Sequence, residues 1–206
     1  MNTLAQQISI MLEMQEAMNT KVNADWRNQN FEWYRAVWVE CAEMLDHYGW
    51  KWWKKQEPDL PQVHLELVDI FHFGLSAKLL ESDSVEALAR NMADSITNRT
   101  SKNDFRSALE DLALDTLQTK SFNVSLFASC LDLVNLSTEQ LFKQYVGKNT
   151  LNFFRQDHGY QDGTYQKLWH GREDNEYLVD ILDSTSSTID DFPKVVYQKL
   201  KDSYSG

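Results

Sequence analysis

The sequence has few of the residues that interrupt helices. Its 206 residues include three prolines and seven glycines, and neither residue type occurs between Gly74 and Gly147. Because glycine and proline are the least favourable residues inside a helix, this long middle stretch can be helical throughout. The chain also lacks the alternation of apolar and polar residues that is typical of half-buried strands. These absences predict an all-α protein.

Cysteines, basic residues and long apolar runs are scarce as well. The two cysteines, Cys41 and Cys130, do not make a disulfide framework and are expected to be buried free thiols. No segment is long and apolar enough to cross a bilayer, and the N-terminal stretch lacks the basic start and continuous apolar run of a signal peptide. With 31 acidic and 20 basic residues, the net charge of −11 opposes binding to a nucleic-acid backbone. We therefore expect a cytoplasmic protein that binds neither membranes nor nucleic acids.

Apolar residues that recur about every 3.6 residues predict nine helices. These cover about 2–22, 32–49, 61–81, 84–96, 103–118, 121–134, 137–157, 174–183 and 188–203. Ser137, followed three residues later by Gln140, predicts a capping box at the start of the seventh helix. A chain of this length can bury one full core, so we expect residues 1–206 to form a single helical bundle. Its core is expected to include three tryptophans, Trp26, Trp33 and Trp38.

Two of the predicted helices carry a pair of acidic residues among apolar neighbours. Glu40 and Glu43 lie three residues apart, as do Glu66 and Asp69, and this spacing places both members of a pair on one helix face. Each pair could be a solvent-facing edge of its helix, but apolar residues border both pairs. If the two helices pack antiparallel, the four carboxylates come together and need positive charge to compensate them. Ligand sets made only of oxygen atoms suit Mg²⁺ or Mn²⁺.

Four of the seven glycines lie in one segment near the C-terminus that also carries basic residues. Lys148, Asn152 and Arg155 share one face of a predicted helix, and Tyr160 and Lys167 follow among the glycines. Glycine allows the backbone to approach a ligand closely. The segment is either a solvated helix end with an ordinary loop or, together with a metal cluster, the second half of a polyphosphate site.

Four motifs occur along the chain: Glu40-x-x-Glu43, Glu66-x-x-Asp69, "WKWWK" at residues 50–54, and "KNTLNFFRQDHGYQDGTYQKLWHGREDN" at residues 148–175. Together they resemble the dimeric, all-α dUTPases, which belong to the MazG-like nucleoside triphosphate pyrophosphohydrolases. The resemblance covers about 11–81 and 140–183, whereas residues 83–136 match no motif and are interpreted as a variable helical region.

The resemblance implies a homodimeric enzyme that hydrolyses dUTP to dUMP and pyrophosphate, with dUDP as a second substrate. This reaction limits the incorporation of uracil into DNA and supplies dUMP. The resemblance further implies at least two Mg²⁺ ions per active site, with Mn²⁺ as an alternative, held by Glu40, Glu43, Glu66 and Asp69. One of the first two glutamates would also orient or deprotonate the attacking water.

The resemblance also implies which side chains contact the substrate. The phosphate-binding positions are Lys148, Arg155, Tyr160 and Lys167. The positions near the base and the sugar are Gln15 and Asn19 at the uracil edge, Trp53 beside the base, His72 at the deoxyribose hydroxyl, and Asn152 and Asn175 between sugar and phosphates. The other histidines have no implied role and are expected to be exposed: His47, His64, His158 and His170.

Three other functions remain open on the sequence. The first is a MazG-like pyrophosphohydrolase for another nucleotide, because the acidic pairs are common to that superfamily. The second is a di-iron carboxylate bundle, although such proteins carry Glu-x-x-His pairs and the nearest pattern here is Asp69-x-x-His72. The third is a nucleotide-binding protein that keeps the site but performs no turnover.

Overall fold

The computed structural model describes residues 3–100, 103–187 and 191–204. Their helices are α1 (Leu4–Val22), a short 3₁₀ helix (Trp26–Asn28), α2 (Trp33–Tyr48), α3 (Leu60–Leu79), α4 (Val85–Thr97), α5 (Phe105–Thr119), α6 (Val124–Leu133), α7 (Thr138–Asp157), α8 (Asp174–Asp183) and α9 (Phe192–Ser203). The all-α prediction is confirmed, and each predicted helix has its counterpart. Residue 2 of the first predicted helix and residues 188–190 of the last lie outside the described residues.

Polar side chains cap the N-termini of several helices. At α1 the Thr3 backbone N–H donates to Gln6 Oε1 at 2.7 Å, and the Gln6 N–H donates back to the Thr3 hydroxyl. The capping box predicted at α7 is present, since the Ser137 N–H donates to Gln140 Oε1 at 2.9 Å and the Gln140 N–H donates to Ser137 Oγ at 3.2 Å. These bonds satisfy backbone N–H groups that have no acceptor within the helix.

A small hairpin between α7 and α8 contains the only β-strands in the described residues. Its strands are β1 (Leu168–Trp169) and β2 (Arg172–Glu173), which pair antiparallel. His170 and Gly171 connect them with φ angles of 49° and 84°, the positive values that tight hairpin turns require. Strands of two residues are too short to show alternation, so the sequence pattern could not reveal them.

The chain divides into two compact units, residues 1–142 and 143–206, with the division inside α7. In the first unit α3 packs against α2 and α1, while α5 packs against α2 and α6. In the second unit α8 packs against α9. The single domain expected over residues 1–206 stays a prediction. None of the described helices is both long and apolar enough to span a bilayer.

The tryptophans of the first unit differ in burial. Trp26 is buried as predicted, whereas Trp38 is 38% exposed and does not belong to the core. The buried face of α2 consists of Val37, Cys41 and Met44. Trp38 follows Val37 directly and therefore lies about 100° around the helix from it.

Gly74, in the middle of α3, gives space to the ring of Phe122. A Cβ atom at Gly74 would lie 2.6 Å from the Cδ1 and Cε1 atoms of that ring. Overpacking of this kind costs roughly 1–3 kcal/mol and outweighs the gain of about 1 kcal/mol from alanine in a helix. We expect Gly74→Ala to lower the free energy of unfolding by up to about 2 kcal/mol in chemical denaturation. Gly74→Ala combined with Phe122→Leu should recover part of the loss. A single variant as stable as wild type would mean that the ring moves aside freely.

Candidate active site

Helices α2 and α3 run antiparallel. Late in α2, His47 Nε2 lies 3.5 Å from Oε1 of Glu66, which is early in α3. At the opposite ends, the rings of Trp33 and Phe73 stack with centroids 6.4 Å apart. This arrangement turns the acidic faces of the two helices toward each other, as the sequence predicted.

The carboxylate oxygens of Glu40, Glu43 and Glu66 lie within 4.8 Å of one another. Glu66 is buried, Glu40 is half-buried and Glu43 is exposed. Asp69 follows Glu66 by three residues on α3, and its charge acts on Glu40. The structure therefore brings three of the four predicted acidic residues into one cluster with a solvent-facing side, and the fourth, Asp69, lies close enough for its charge to act on Glu40.

The electrostatics of this cluster favour a cation. The pKa of Glu40 is raised to about 8, first by burial, then by a hydrogen bond with Glu66 and by the charges of Asp69, Glu66 and Glu43. A group of carboxylates that resists full ionisation is stabilised by any positive charge placed among them. The donor atoms are all oxygens, which fits a hard divalent cation such as Mg²⁺.

His47 belongs to the edge of this cluster, although the sequence analysis gave it no role. It follows Glu40 and Glu43 at the spacing i, i+3, i+7, so it shares their face of α2. That spacing was the signal that could have found it. The expectation of exposure is also wrong for two of the other histidines: His64 Nε2 contacts the Val134 carbonyl at 3.1 Å, and His158 is half-buried. His170 is exposed as expected.

A buried hydrogen-bonded cluster joins α1 to α3. Gln15 Nε2 donates to Asn19 Oδ1 at 2.9 Å and to Ser76 Oγ at 3.0 Å, and Asn19 Nδ2 donates to the same Ser76 oxygen at 3.0 Å. His72 Nδ1 lies 2.8 Å from Gln15 Oε1. The resemblance named three of these residues as substrate contacts, and the structure places the three together. Ser76 was missed, although it follows His72 by one helical turn.

Trp53 lies in the loop between α2 and α3. It is 57% exposed, and its ring contacts those of Trp50 and Trp52 edge to face, with centroids 5.3 and 5.5 Å apart. The structure groups it with these loop residues, so its predicted position beside the base stays a prediction.

In the second unit, Arg155 and Asp174 form a buried bidentate ion pair. Arg155 Nε donates to Asp174 Oδ2 and Nη2 donates to Oδ1, each at 2.8 Å. The guanidinium also donates to Asn152 Oδ1 at 3.2 Å and to Asn175 Oδ1 at 3.4 Å, and the Tyr165 hydroxyl donates to Asp174 Oδ2 at 2.8 Å. This network connects three of the predicted substrate-binding residues. The acidic partner at its centre was not predicted.

Two of the predicted phosphate-binding cations lie against the ring of Tyr160. Arg155 Cζ is 5.9 Å and Lys167 Nζ is 5.7 Å from its centroid, which is within the range of cation–π attraction. Lys148 lies on α7 seven residues before Arg155 and is buried. The second unit thus holds the basic residues that the sequence assigned to an anion.

The ion pair shifts the pKa values of its members. Burial by itself would lower the pKa of Arg155, but the hydrogen bonds and charge of Asp174 outweigh burial and raise it. For Asp174, burial acts to raise the pKa, and the bonds and charge of Arg155 outweigh it, so the pKa is lowered. Burial and the bond to Asp174 raise the pKa of Tyr165, which keeps its hydroxyl a donor.

The lowered pKa of Asp174 predicts a pH-dependent contribution to stability. Its unfolded pKa is about 3.9, so the carboxylate stabilises the fold above about pH 4, and the stabilisation is lost as the pH falls through the folded pKa. We expect Asp174→Asn to be less stable than wild type at pH 7, with a difference that shrinks in acid. Urea denaturation across a pH series measures this difference. Asp180→Asn, at an exposed pair with Arg172, is the control. A constant difference down to the lowest pH at which both proteins fold would contradict the expectation.

The fold and the acidic site define a class: an all-helical protein with a carboxylate cluster that can hold a divalent cation. A family model described as dUTPase matches residues 7–160, which is most of the chain. The chain therefore belongs to the dUTPase family and is a dUTP diphosphatase, an enzyme of a family that generally uses a divalent metal. A comparison with curated proteins finds no match.

The range of the family match bears on two sequence-based expectations. It includes residues 83–136, for which the sequence offered no recognisable motif. It ends at Tyr160, so Lys167 and Asn175 lie beyond it, and their assignment rests on the motif at residues 148–175 and on the contacts described above.

Proposed function

We propose that this dUTPase hydrolyses dUTP with Mg²⁺ held by Glu40, Glu43, Glu66 and Asp69. The observation that carries the proposal is the close approach of the carboxylate oxygens of Glu40, Glu43 and Glu66, within 4.8 Å. These residues fit Mg²⁺ because they offer oxygen donors only and a surplus of negative charge, and the exposed side of Glu43 leaves room for phosphate oxygens. Two or more ions share the cluster, and Mn²⁺ is an alternative.

The reaction joins the oxygen of water to the β-phosphorus, and the bond from that phosphorus to the bridging oxygen of dUMP breaks, so the products are dUMP and pyrophosphate. When bound, the ions lower the pKa of water and neutralise charge on the phosphate oxygens. One of Glu40 and Glu43 orients the water and accepts its proton. Because dUDP also carries a β-phosphorus, it is a second substrate in this proposal and gives dUMP and phosphate.

Lys148, Arg155, Tyr160 and Lys167 bind the phosphates in this proposal. Support comes from the contact of two cations with one phenol ring and from the rigid hold of Asp174 on Arg155. A guanidinium fixed in advance loses little rotamer freedom when it binds an anion. Asn152 and Asn175, both bonded to that guanidinium, contact the sugar and phosphates.

Gln15, Asn19, His72 and Trp53 contact the nucleoside in this proposal. The first three are supported by their shared burial between α1 and α3, where amide and imidazole groups can distinguish a base edge and a sugar hydroxyl. A buried polar pocket discriminates strongly because a wrong ligand leaves its donors and acceptors unpaired. Trp53 adds an aromatic face beside the base.

We also propose that the protein is a homodimer of the MazG-like type that acts in the cytoplasm. The motif resemblance supports the dimer and the superfamily. The cytoplasmic location is supported by two buried free thiols, Cys41 and Cys130, whose pKa values are raised by burial.

A single assay tests this proposal: release of pyrophosphate from dUTP and from the four standard dNTPs, with release of phosphate from dUDP measured in parallel. We expect turnover of dUTP and dUDP with Mg²⁺, partial activity with Mn²⁺, and none with EDTA. Equal turnover of dUTP, dTTP and dCTP would instead favour a less selective MazG-like enzyme. Full activity in EDTA would exclude the metal role of the carboxylates. Tight binding without turnover would favour a non-catalytic nucleotide-binding protein.

A further inference from the structure

Ser76 lies at the centre of the cluster between α1 and α3 and is fully buried. Its hydroxyl oxygen accepts from Gln15 Nε2 and from Asn19 Nδ2, each at 3.0 Å. Its single hydrogen can reach the His72 carbonyl oxygen at 3.1 Å or Asn19 Oδ1 at 3.4 Å. A hydroxyl has one donor and two acceptor positions, so all three are used.

This hydroxyl determines the orientation of the two amides. With both amide nitrogens turned toward Ser76, each bond has one donor and one acceptor. If both amides were reversed, their two oxygens would each lie 3.0 Å from Ser76 Oγ, whose single hydrogen could serve only one of them. The other oxygen would then face the hydroxyl oxygen with no hydrogen between them, which is repulsive in a buried site, so Ser76 favours the first arrangement.

The orientation of Gln15 in turn sets the state of His72. Because Gln15 directs its nitrogen to Ser76, it directs Oε1 to His72 Nδ1, 2.8 Å away. An oxygen there can only accept, so Nδ1 carries the hydrogen. In a neutral imidazole the other nitrogen, Nε2, is then an acceptor.

We propose that Ser76 is a positioning residue that acts through Gln15 to hold His72 as the Nδ1–H tautomer, so that Nε2 accepts a hydrogen bond from the 3′-hydroxyl of dUTP. The inference rests on the proposed contact of His72 with the deoxyribose. Ser76 itself touches no substrate. Its effect is to fix the tautomer of the buried imidazole before the nucleotide binds.

The first test reads the tautomer directly. In ¹⁵N-labelled protein at a pH of about 8, where an unperturbed imidazole is neutral, long-range ¹H–¹⁵N spectra distinguish the two tautomers. The wild type should show His72 as Nδ1–H. Ser76→Ala should show a mixture, because reversed amides no longer face a hydroxyl. Ser76→Thr, which keeps the hydroxyl, should restore the single form. Wild-type protein in the Nε2–H form would overturn the proposal, even if the alanine variant failed to fold.

The second test is kinetic and uses dUTP together with its 2′,3′-dideoxy analogue, which lacks the 3′-hydroxyl. A lost neutral hydrogen bond changes binding by roughly three- to tenfold. Ser76→Ala should raise KM for both substrates where the reoriented amides of Gln15 and Asn19 disturb the uracil contacts, and should raise KM for dUTP by about three- to tenfold more than KM for the analogue. Ser129→Ala is the matched control, since it removes another buried helix hydroxyl, bonded to the carbonyls of Ser125 and Thr100. We expect both KM values to stay as in wild type for that variant.

Two failures are distinguishable. An equal rise of KM for both substrates in Ser76→Ala would reduce Ser76 to a structural role and overturn the inference. If wild type hydrolyses both substrates with equal KM, the proposed contact of His72 with the hydroxyl is wrong, and the inference fails with it. The tautomer measurement needs no turnover, so it separates the role of Ser76 from the activity of the enzyme.

Discussion

Glu43→Gln is expected to reduce the turnover of dUTP by on the order of a thousandfold, the effect of losing several kcal/mol of metal-assisted catalysis. Glutamine keeps the size of the side chain but brings a neutral amide to a position where a charged oxygen is needed. Stability should be kept or raised, because the burial and crowding that raise the pKa of Glu40 include the charge of Glu43. The measurements are kcat at saturating Mg²⁺ and dUTP, and thermal unfolding without metal.

The matched control is Glu86→Gln in α4, where an exposed glutamate pairs with Arg90 at 2.8 Å. It removes the same charge from the same residue type, and full activity is expected. If Glu43→Gln kept full activity with Mg²⁺ present, the proposed metal role of Glu43 would be wrong. If it lost activity and folded structure together, the residue would be structural instead.

The helices and the acidic pairs were accessible from the sequence because both depend on local spacing. Apolar residues spaced about 3.6 residues apart predict each helix. The pair Ser137 and Gln140 predicts the start of α7, which the structure confirms. The spacing of Glu40 and Glu43 fixes them to one face whatever they pack against. Their approach to Glu66 followed from one further assumption, that consecutive helices joined by a short loop lie antiparallel.

Partners that come from distant parts of the chain were not accessible in this way. Asp174 lies 19 residues after Arg155, at the start of a different helix, and no periodicity connects the two. Ser76 reaches Gln15 across 61 residues. Both contacts depend on which helix faces pack together, and packing is decided by the whole core rather than by a local pattern.

The burial of individual residues was predicted less well than the helices that carry them. Trp38 was expected in the core because it is large and apolar, yet it lies beside the buried face of α2. His47 was expected at the surface and lies against Glu66. Residue type alone is a weak guide to burial, since many apolar atoms remain at any protein surface.

Arg155→Ala is expected to lower the free energy of unfolding by about 3–5 kcal/mol, because it leaves a buried charge without its partner. Asp174 is completely buried, and the guanidinium of Arg155 supplies two of its hydrogen bonds. Chemical denaturation at pH 7 measures the loss. Arg90→Ala, which breaks the exposed pair with Glu86, should cost less than about 1 kcal/mol. If Arg155→Ala lost no more unfolding free energy than Arg90→Ala, the buried pair would not be important for stability.

A second variant separates this structural role from the proposed binding of phosphate. Combining Arg155→Ala with Asp174→Asn removes the unpaired charge, so part of the lost stability should return. If Arg155 also binds phosphate, KM for dUTP should stay high in the double variant even though the fold is restored. Recovery of stability together with a wild-type KM would assign Arg155 to structure alone. Lys167→Ala provides the comparison, because Lys167 is exposed and lies against Tyr160: it should weaken dUTP binding by roughly 1.5–3 kcal/mol and leave unfolding unchanged.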